Sequence, residues 1–126
     1  DEIGLSGGDE PNNREAFPWE DETSWNLEIQ EYIKEIMYLK TTNEILKFGN
    51  FELLKNVNDA IIFRRSLNGK SLLCIFNRNK KQRNIKISSN ANNIDLIFGD
   101  SDIKLVENKV IISKIEKNSG LIIKEY

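Results

Sequence analysis

From Asn43 to Tyr126 apolar and polar residues alternate with a period of two, and turn-forming residues interrupt the pattern at roughly ten-residue intervals. No other feature constrains the fold as strongly. Alternation lets a pleated strand bury one face, but it does not give the single stripe that a helix needs. The segments 45–48, 51–54, 60–67, 70–76, 83–88, 94–98, 103–106, 110–115 and 121–124 read as strands. Asn68-Gly69 is the sharpest turn signal. Both residues tolerate positive φ, and their place between two alternating runs predicts a two-residue type I′ hairpin. Residues 56–59, 90–93, 99–102 and 118–120 are expected to supply the other turns. Many short strands with no helix between them predict an antiparallel β-sandwich with Greek-key connections over residues 43–126. The sequence contains no internal repeat.

Upstream the period changes. Trp25, Ile29, Tyr32, Ile33, Ile36 and Met37 recur at three- and four-residue spacing, which predicts an amphipathic helix over residues 24–39. Glu28, Glu31, Lys34 and Glu35 lie off its apolar stripe, and Thr41-Thr42-Asn43 marks its end. Such a stripe has to be buried against a packed layer. Residues 1–22, with Gly7-Gly8, two prolines and many acidic residues and asparagines, read as a long loop. Loops of that length are usually functional or disordered. This one has no core of its own and is expected to be mobile, or ordered only by contact with another chain. The chain therefore divides into residues 1–42 and residues 43–126.

Composition excludes several classes of function. With 18 basic and 20 acidic residues the net charge is −2, which argues against a nucleic-acid partner. The one basic run, Arg78-Asn79-Lys80-Lys81-Gln82-Arg83, reads as a solvated turn between strands. No apolar stretch approaches the roughly 20 residues that span a bilayer, so no membrane partner is expected. The single Cys74 has no partner for an internal disulfide and suits a buried filler within Leu72-Leu73-Cys74-Ile75-Phe76. Histidine is absent, which removes Ser-His-Asp and Cys-His catalysis and any His-ligated metal site from this chain. Asp100-Ser101-Asp102 offers two carboxylates, short of the six to eight oxygens that calcium takes, and reads as a turn. No cofactor is expected. Met37 is the only methionine and the opening Asp1-Glu2-Ile3-Gly4-Leu5 lacks a leader pattern, so the chain reads as a processed product or a piece of a longer polypeptide.

Within the loop, Asp1-Glu2-Ile3-Gly4 is followed by Gly7-Gly8, by Glu10-Pro11-Asn12-Asn13-Arg14 and by Phe17-Pro18-Trp19. This order resembles a stretch of the α-amylase family, glycoside hydrolase family 13. There a Gly-Asp-Glu-Ile-Gly segment closes the eighth barrel strand, and a Gly-Gly-x-Asp-Pro-x-x-Arg loop ending near Pro-Trp follows it. Residues 32–40 look like the family's last barrel helix, residues 43–51 like the link into its C-terminal β-domain, and residues 118–123 like that domain's final strand. The resemblance covers nearly the whole chain, with its most specific residues between positions 1 and 51. It departs from the family at Glu10, where Asp is common, and at Glu15-Ala16. Assignment among α-amylase, neopullulanase or cyclomaltodextrinase, and other oligosaccharide-cleaving relatives stays open.

The resemblance implies a fold, the loop and last helix of a (β/α)₈ barrel followed by the Greek-key sandwich, and a chemistry. Family enzymes are retaining glycosidases acting on α-glucans, with two carboxyl groups flanking the scissile bond. By family order these precede residue 1, so no catalytic residue is expected here and the chain alone should be inactive. Asp1 and Glu2 are consecutive on a strand and point to opposite faces, so they are not a catalytic pair. The substrate-binding candidates are Glu10 and Arg14, whose spacing matches an acid–arginine pair with which relatives of the neopullulanase type grip a glucosyl unit. The competing reading is an ion pair that merely shapes the loop. Trp19 is read chiefly as pinning the loop against the barrel and Trp25 as core packing on the helix stripe; either indole could alternatively stack on sugar. The implied partners are an α-glucan, through the parent enzyme, and the missing barrel. The alternative function is a stand-alone carbohydrate-binding module or a purely structural one. The phenylalanines of the sandwich mostly fit core positions.

Overall fold

Asn68 and Gly69 adopt φ of 50° and 76°, the two positive values a type I′ turn requires, and they join β2 (Ala60–Leu67) to β3 (Lys70–Asn77). The computed structural model describes residues 2–5, 7–14, 16–57, 60–78 and 82–126. Around that hairpin the remaining strands are β1 (Asn50–Val57), β4 (Gln82–Ser88), β5 (Ile94–Phe98), β6 (Ile103–Val106), β7 (Lys109–Ile115) and β8 (Ser119–Glu125). The expected turn at 56–59 and the basic run both include positions, 58–59 and 79–81, that lie outside the described residues.

Two antiparallel sheets result, one ordered β1-β2-β3-β8-β5 and the other β4-β7-β6. β8 inserts between β3 and β5, a non-sequential order of the kind that Greek-key connections produce. Between the sheets lies the core of Ile62, Leu73, Ile75, Ile87, Val110, Ile112, Ile115, Leu121 and Ile123. Leu73 and Ile75, Val110 and Ile112, and Leu121 and Ile123 are each two residues apart, so the period of two read from the sequence marks the inward row of these strands, while Ile115 falls out of that phase. A second two-residue hairpin joins β6 to β7 through Glu107 and Asn108, with φ of 47° and 59°. At Gly99, φ is +88° and a side chain would run into the Gly120 carbonyl, so only glycine fits there.

One expected strand is a helix. Residues 45–48 fall within α2 (Glu44–Phe48), because the Asn43 side chain accepts from the amides of Ile45 (3.0 Å) and Leu46 (3.3 Å) and caps the turn. A short apolar run is ambiguous by period alone, and here the cap decides. α2 packs on β2 and β3, with Arg65 Nη2 donating to the Leu46 carbonyl at 3.4 Å.

The chain forms two compact units, Asp1–Thr42 and Asn43–Tyr126. In the first unit α1 runs from Leu27 to Thr42, later than expected, after a 3-10 turn over Glu22–Ser24. Asn26 sets the start, its side-chain oxygen accepting from Ile29 N at 3.1 Å. None of the residues of α1 is buried, contrary to the expectation of a covered stripe; Leu27, Ile29, Tyr32 and Met37 are all exposed. The phenylalanines also depart from expectation. Phe98 is buried, whereas Phe48, Phe51 and Phe76 are exposed, because they sit on the outward row or beyond the strands. No described helix is long and apolar enough to cross a membrane.

Candidate functional site

The Asn12 amide donates to Asp9 O at 2.8 Å and the Arg14 amide to Pro11 O at 3.1 Å, two turns that fold the segment from 9 to 14 back on itself. The cis Glu10-Pro11 bond lies within it. This places the Arg14 Nη2 group on the Glu10 carboxylate, Oε1, so the two residues singled out by spacing do form a pair. Both stand largely in solvent, Arg14 at 74% and Glu10 at 65% exposure, so the pair itself contributes little to folding. Asp1 and Glu15 lie outside the described residues.

The rest of the loop is tied to the start of α1. Ile3 is buried and its carbonyl accepts from Asn26 N at 2.9 Å; Gly4, at φ +71°, lies close to Asn26 and Ile29. The expected loop without a core therefore has an anchor of its own. Further along, Trp25 is half-buried and donates from Nε1 to Pro18 O at 3.0 Å, with Phe17 edge-on to its ring at 5.5 Å. Trp25 precedes α1 and does not form part of its stripe; it pins the loop instead. Trp19, read as the pin, is 74% exposed and tilted against Phe17 at 4.3 Å. Trp25 thus pins the loop from within the chain, in place of the core position on the helix stripe expected of it.

A second polar cluster went unnoticed in the sequence. Glu125 on β8 is 2% exposed and takes Arg64 Nε at 2.7 Å, Arg64 Nη2 at 3.0 Å and Ser71 Oγ at 2.8 Å, with Ser89 also hydrogen-bonded. Arg64 Nη2 additionally donates to Ser88 O at 2.8 Å, which joins the β2–β3–β8 sheet to the end of β4. Burial works to raise the Glu125 pKa, but the hydrogen bonds from Arg64, Ser89 and Ser71 outweigh it and hold the carboxyl below the ordinary range. A notch of about 320 Å³ lies against this cluster, walled by Ser89, Asn90 and Asn92. The signal was present: Arg64 and Glu125 follow Ile62 and Ile123 by two residues and so occupy inward positions, where a lone charge is costly. With the carboxylate's acceptor sites occupied from within the protein, the arrangement is a clasp.

Ser101 Oγ donates to Lys114 O at 2.7 Å and Ser113 N to Asp102 O at 3.0 Å, which ties the turn at 99–102 to β7. Among the described residues no three His, Cys, Asp or Glu side chains are grouped to hold a metal. Cys74 is buried, and burial pushes its thiol up to about 11, with Arg65 opposing.

No protein-family model matches the chain. Among curated proteins, an amylopullulanase of Thermoanaerobacterium thermosulfurigenes is 34% identical over 100 residues, 71% of this chain and 5% of that protein. A cyclomaltodextrinase of Thermoanaerobacter pseudethanolicus is 27% identical over 124 residues, 98% of this chain and 21% of that protein. The chain thus spans between 5% and 21% of the length of these relatives. Of solved structures, a cyclomaltodextrinase matches 100% of this chain with 22% of its own, at a TM-score of 0.83 and 18% identity, which shows the same fold. The order of loop, helix and sandwich, together with these likenesses, establishes that the chain belongs to the α-amylase family, glycoside hydrolase family 13, and corresponds to a C-terminal portion of its longer polypeptides.

Proposed function

We propose that this chain is a C-terminal portion of a retaining glycoside hydrolase that cleaves α-1,4-glucosidic bonds in starch-type oligo- and polysaccharides. The observation that carries this reading is the alignment of 98% of the chain with a cyclomaltodextrinase. Retaining hydrolysis uses two carboxyl groups about 5–5.5 Å apart, one attacking the anomeric carbon and the other protonating the leaving oxygen and then activating water. We place both outside residues 1–126. The partner of this chain is then a (β/α)₈ barrel, to which it supplies the last helix and one substrate-contacting loop. The exposed apolar residues of α1 and of the outer sheet face, Leu27, Met37, Phe51 and Phe76, are suited to cover the flank of that barrel.

In the loop, the Glu10 carboxylate accepts from adjacent sugar hydroxyls while the Arg14 guanidinium donates to ring or hydroxyl oxygens in its fixed fork. Their mutual ion pair holds both heads in one place before the sugar arrives, which lowers the ordering cost of binding. Assays of soluble starch and cyclodextrin decide the matter. Residues 1–126 alone should release no reducing sugar, whereas the full-length parent should; Arg14→Ala in the parent should weaken KM by about tenfold, the loss of about 1.4 kcal/mol. Hydrolysis by the chain alone would overturn the placement of the catalytic carboxylates. Retardation of residues 43–126 alone in a starch-containing gel would favour a stand-alone binding module instead.

A further inference from the structure

The tip of the β2–β3 hairpin brings two reactive groups together. Leu67 pairs with Lys70 across the turn, which leaves the second loop amide outside the ladder, and Gly69 N makes no hydrogen bond among the described residues. The Asn68 side-chain amide beside it is exposed and is not hydrogen-bonded among them either. Gly69 has no Cβ, and apart from its chain neighbours nothing lies within 4 Å of where one would stand. An uncrowded nitrogen with no hydrogen bond to break therefore follows directly on the Cγ carbon of an uncrowded primary amide. Asn118 offers the comparison within the same chain. It too has a positive φ, 52°, and is exposed, but the residue after it is Ser119, which carries a Cβ, pairs with Asn77 in the sheet and donates Oγ to Glu116 O at 2.7 Å.

We propose that Asn68-Gly69 is a self-modifying site, at which Asn68 passes through a succinimide to aspartate and isoaspartate and the isoaspartate form loosens the Glu125 clasp. The chemistry needs only the chain, a base and water. Gly69 N gives up its proton and bonds to Asn68 Cγ; the Cγ–Nδ2 bond breaks, and Nδ2 leaves as ammonia with a proton returned from solvent. Water then opens the succinimide at one of its two carbonyls. Opening on the side-chain side restores the main chain with aspartate at 68, whereas opening on the main-chain side routes the backbone through Cγ. Aspartate tolerates a positive φ, so the first product keeps the type I′ turn. Isoaspartate adds one methylene to the main chain of a loop whose length fixes the register of both strands. Ser71, two residues on and paired with Ser66, donates Oγ to Glu125 at 2.8 Å, and Gly69 itself walls the notch at that carboxylate. A lengthened loop draws Ser71 away from Glu125.

The test incubates the full 126-residue chain in heavy-oxygen water at neutral and mildly alkaline pH, followed by digestion and peptide mass spectrometry. Asn68 should exchange its amide nitrogen for one heavy oxygen about tenfold faster than Asn118, a barrier lower by about 1.4 kcal/mol. The rate should rise with pH, because the attacking nitrogen must lose its proton. A protein isoaspartate methyltransferase should label the aged chain at position 68. Asn68→Gly keeps a residue pair suited to the same turn and should lose both the fast exchange and the label, with its far-ultraviolet circular dichroism unchanged. After chromatographic separation, the isoaspartate form should unfold at lower urea than the unaged chain, while the aspartate form should match Asn68→Asp. Exchange at Asn68 no faster than at Asn118, or fast exchange without isoaspartate, would overturn the site. Fast exchange with an isoaspartate form as stable as the unaged chain would overturn the link to Glu125 and leave the modification standing.

Discussion

Glu125 is held between two sheets by groups that come from β2, β3 and the segment after β4, so its charge is part of how the sandwich closes. Removing Arg64, itself 18% exposed, leaves a buried carboxylate without its guanidinium. Arg64→Met should therefore cost about 3–5 kcal/mol in urea unfolding. The same cluster gives stability a pH dependence of known sign. The Glu125 carboxyl titrates lower in the folded chain than in the unfolded one, so its contribution is present above the unfolded-state value, near 4.5, and is lost as pH falls through the folded one. Urea midpoints measured from pH 7 downward should fall in that window, and Glu125→Gln should flatten the fall. An unchanged slope in that variant would show that other carboxylates govern it. The roles of Arg64 and Glu125 are invisible in a list of residue types. Alternation places each on an inward row, but their pairing across 61 positions appears only once β2, β3 and β8 lie side by side.

At the level of elements, local chemistry was legible wherever a short-range signal was unambiguous. Asn68-Gly69 forms the hairpin its φ preferences predict, and β2, β5 and β6 begin and end where the alternation does. It was misread where two local signals competed. Ile45, Leu46 and Phe48 suit a strand by residue type, yet Asn43 caps the same residues as a helical turn. Asn43→Ala removes two amide partners at once and should lower the stability of the sandwich unit by about 1 kcal/mol, measured by thermal unfolding. An unaffected midpoint would mean that packing on β2 and β3 alone holds α2. The Glu107-Asn108 hairpin was missed because glutamate rarely signals a positive φ.

Across the whole molecule, burial rather than residue type separates structural from surface aromatics and aliphatics. Leu73 is fully buried in the core between the sheets, so Leu73→Ala should cost about 2–5 kcal/mol. Phe51 is 59% exposed on the outer face, where it touches Phe63 at a centroid distance of 5.0 Å. Phe51→Ser should change stability by only about 0.5 kcal/mol. Chemical denaturation of the two variants side by side tests this, and a large loss for Phe51→Ser would show that the outer face is part of the folding core of this chain.

By itself the sequence determined the two kinds of periodicity, the hairpin at Asn68-Gly69 and the Glu10–Arg14 spacing, because each depends on residues within a few positions of one another. Family membership was also legible there, in the ordered motifs between Asp1 and Phe51. Only the tertiary structure decided which phenylalanines are covered, which tryptophan anchors the loop and which is left in solvent, and that Arg64 closes on Glu125. Those outcomes depend on which distant surfaces meet, and neither residue type nor period encodes that meeting locally.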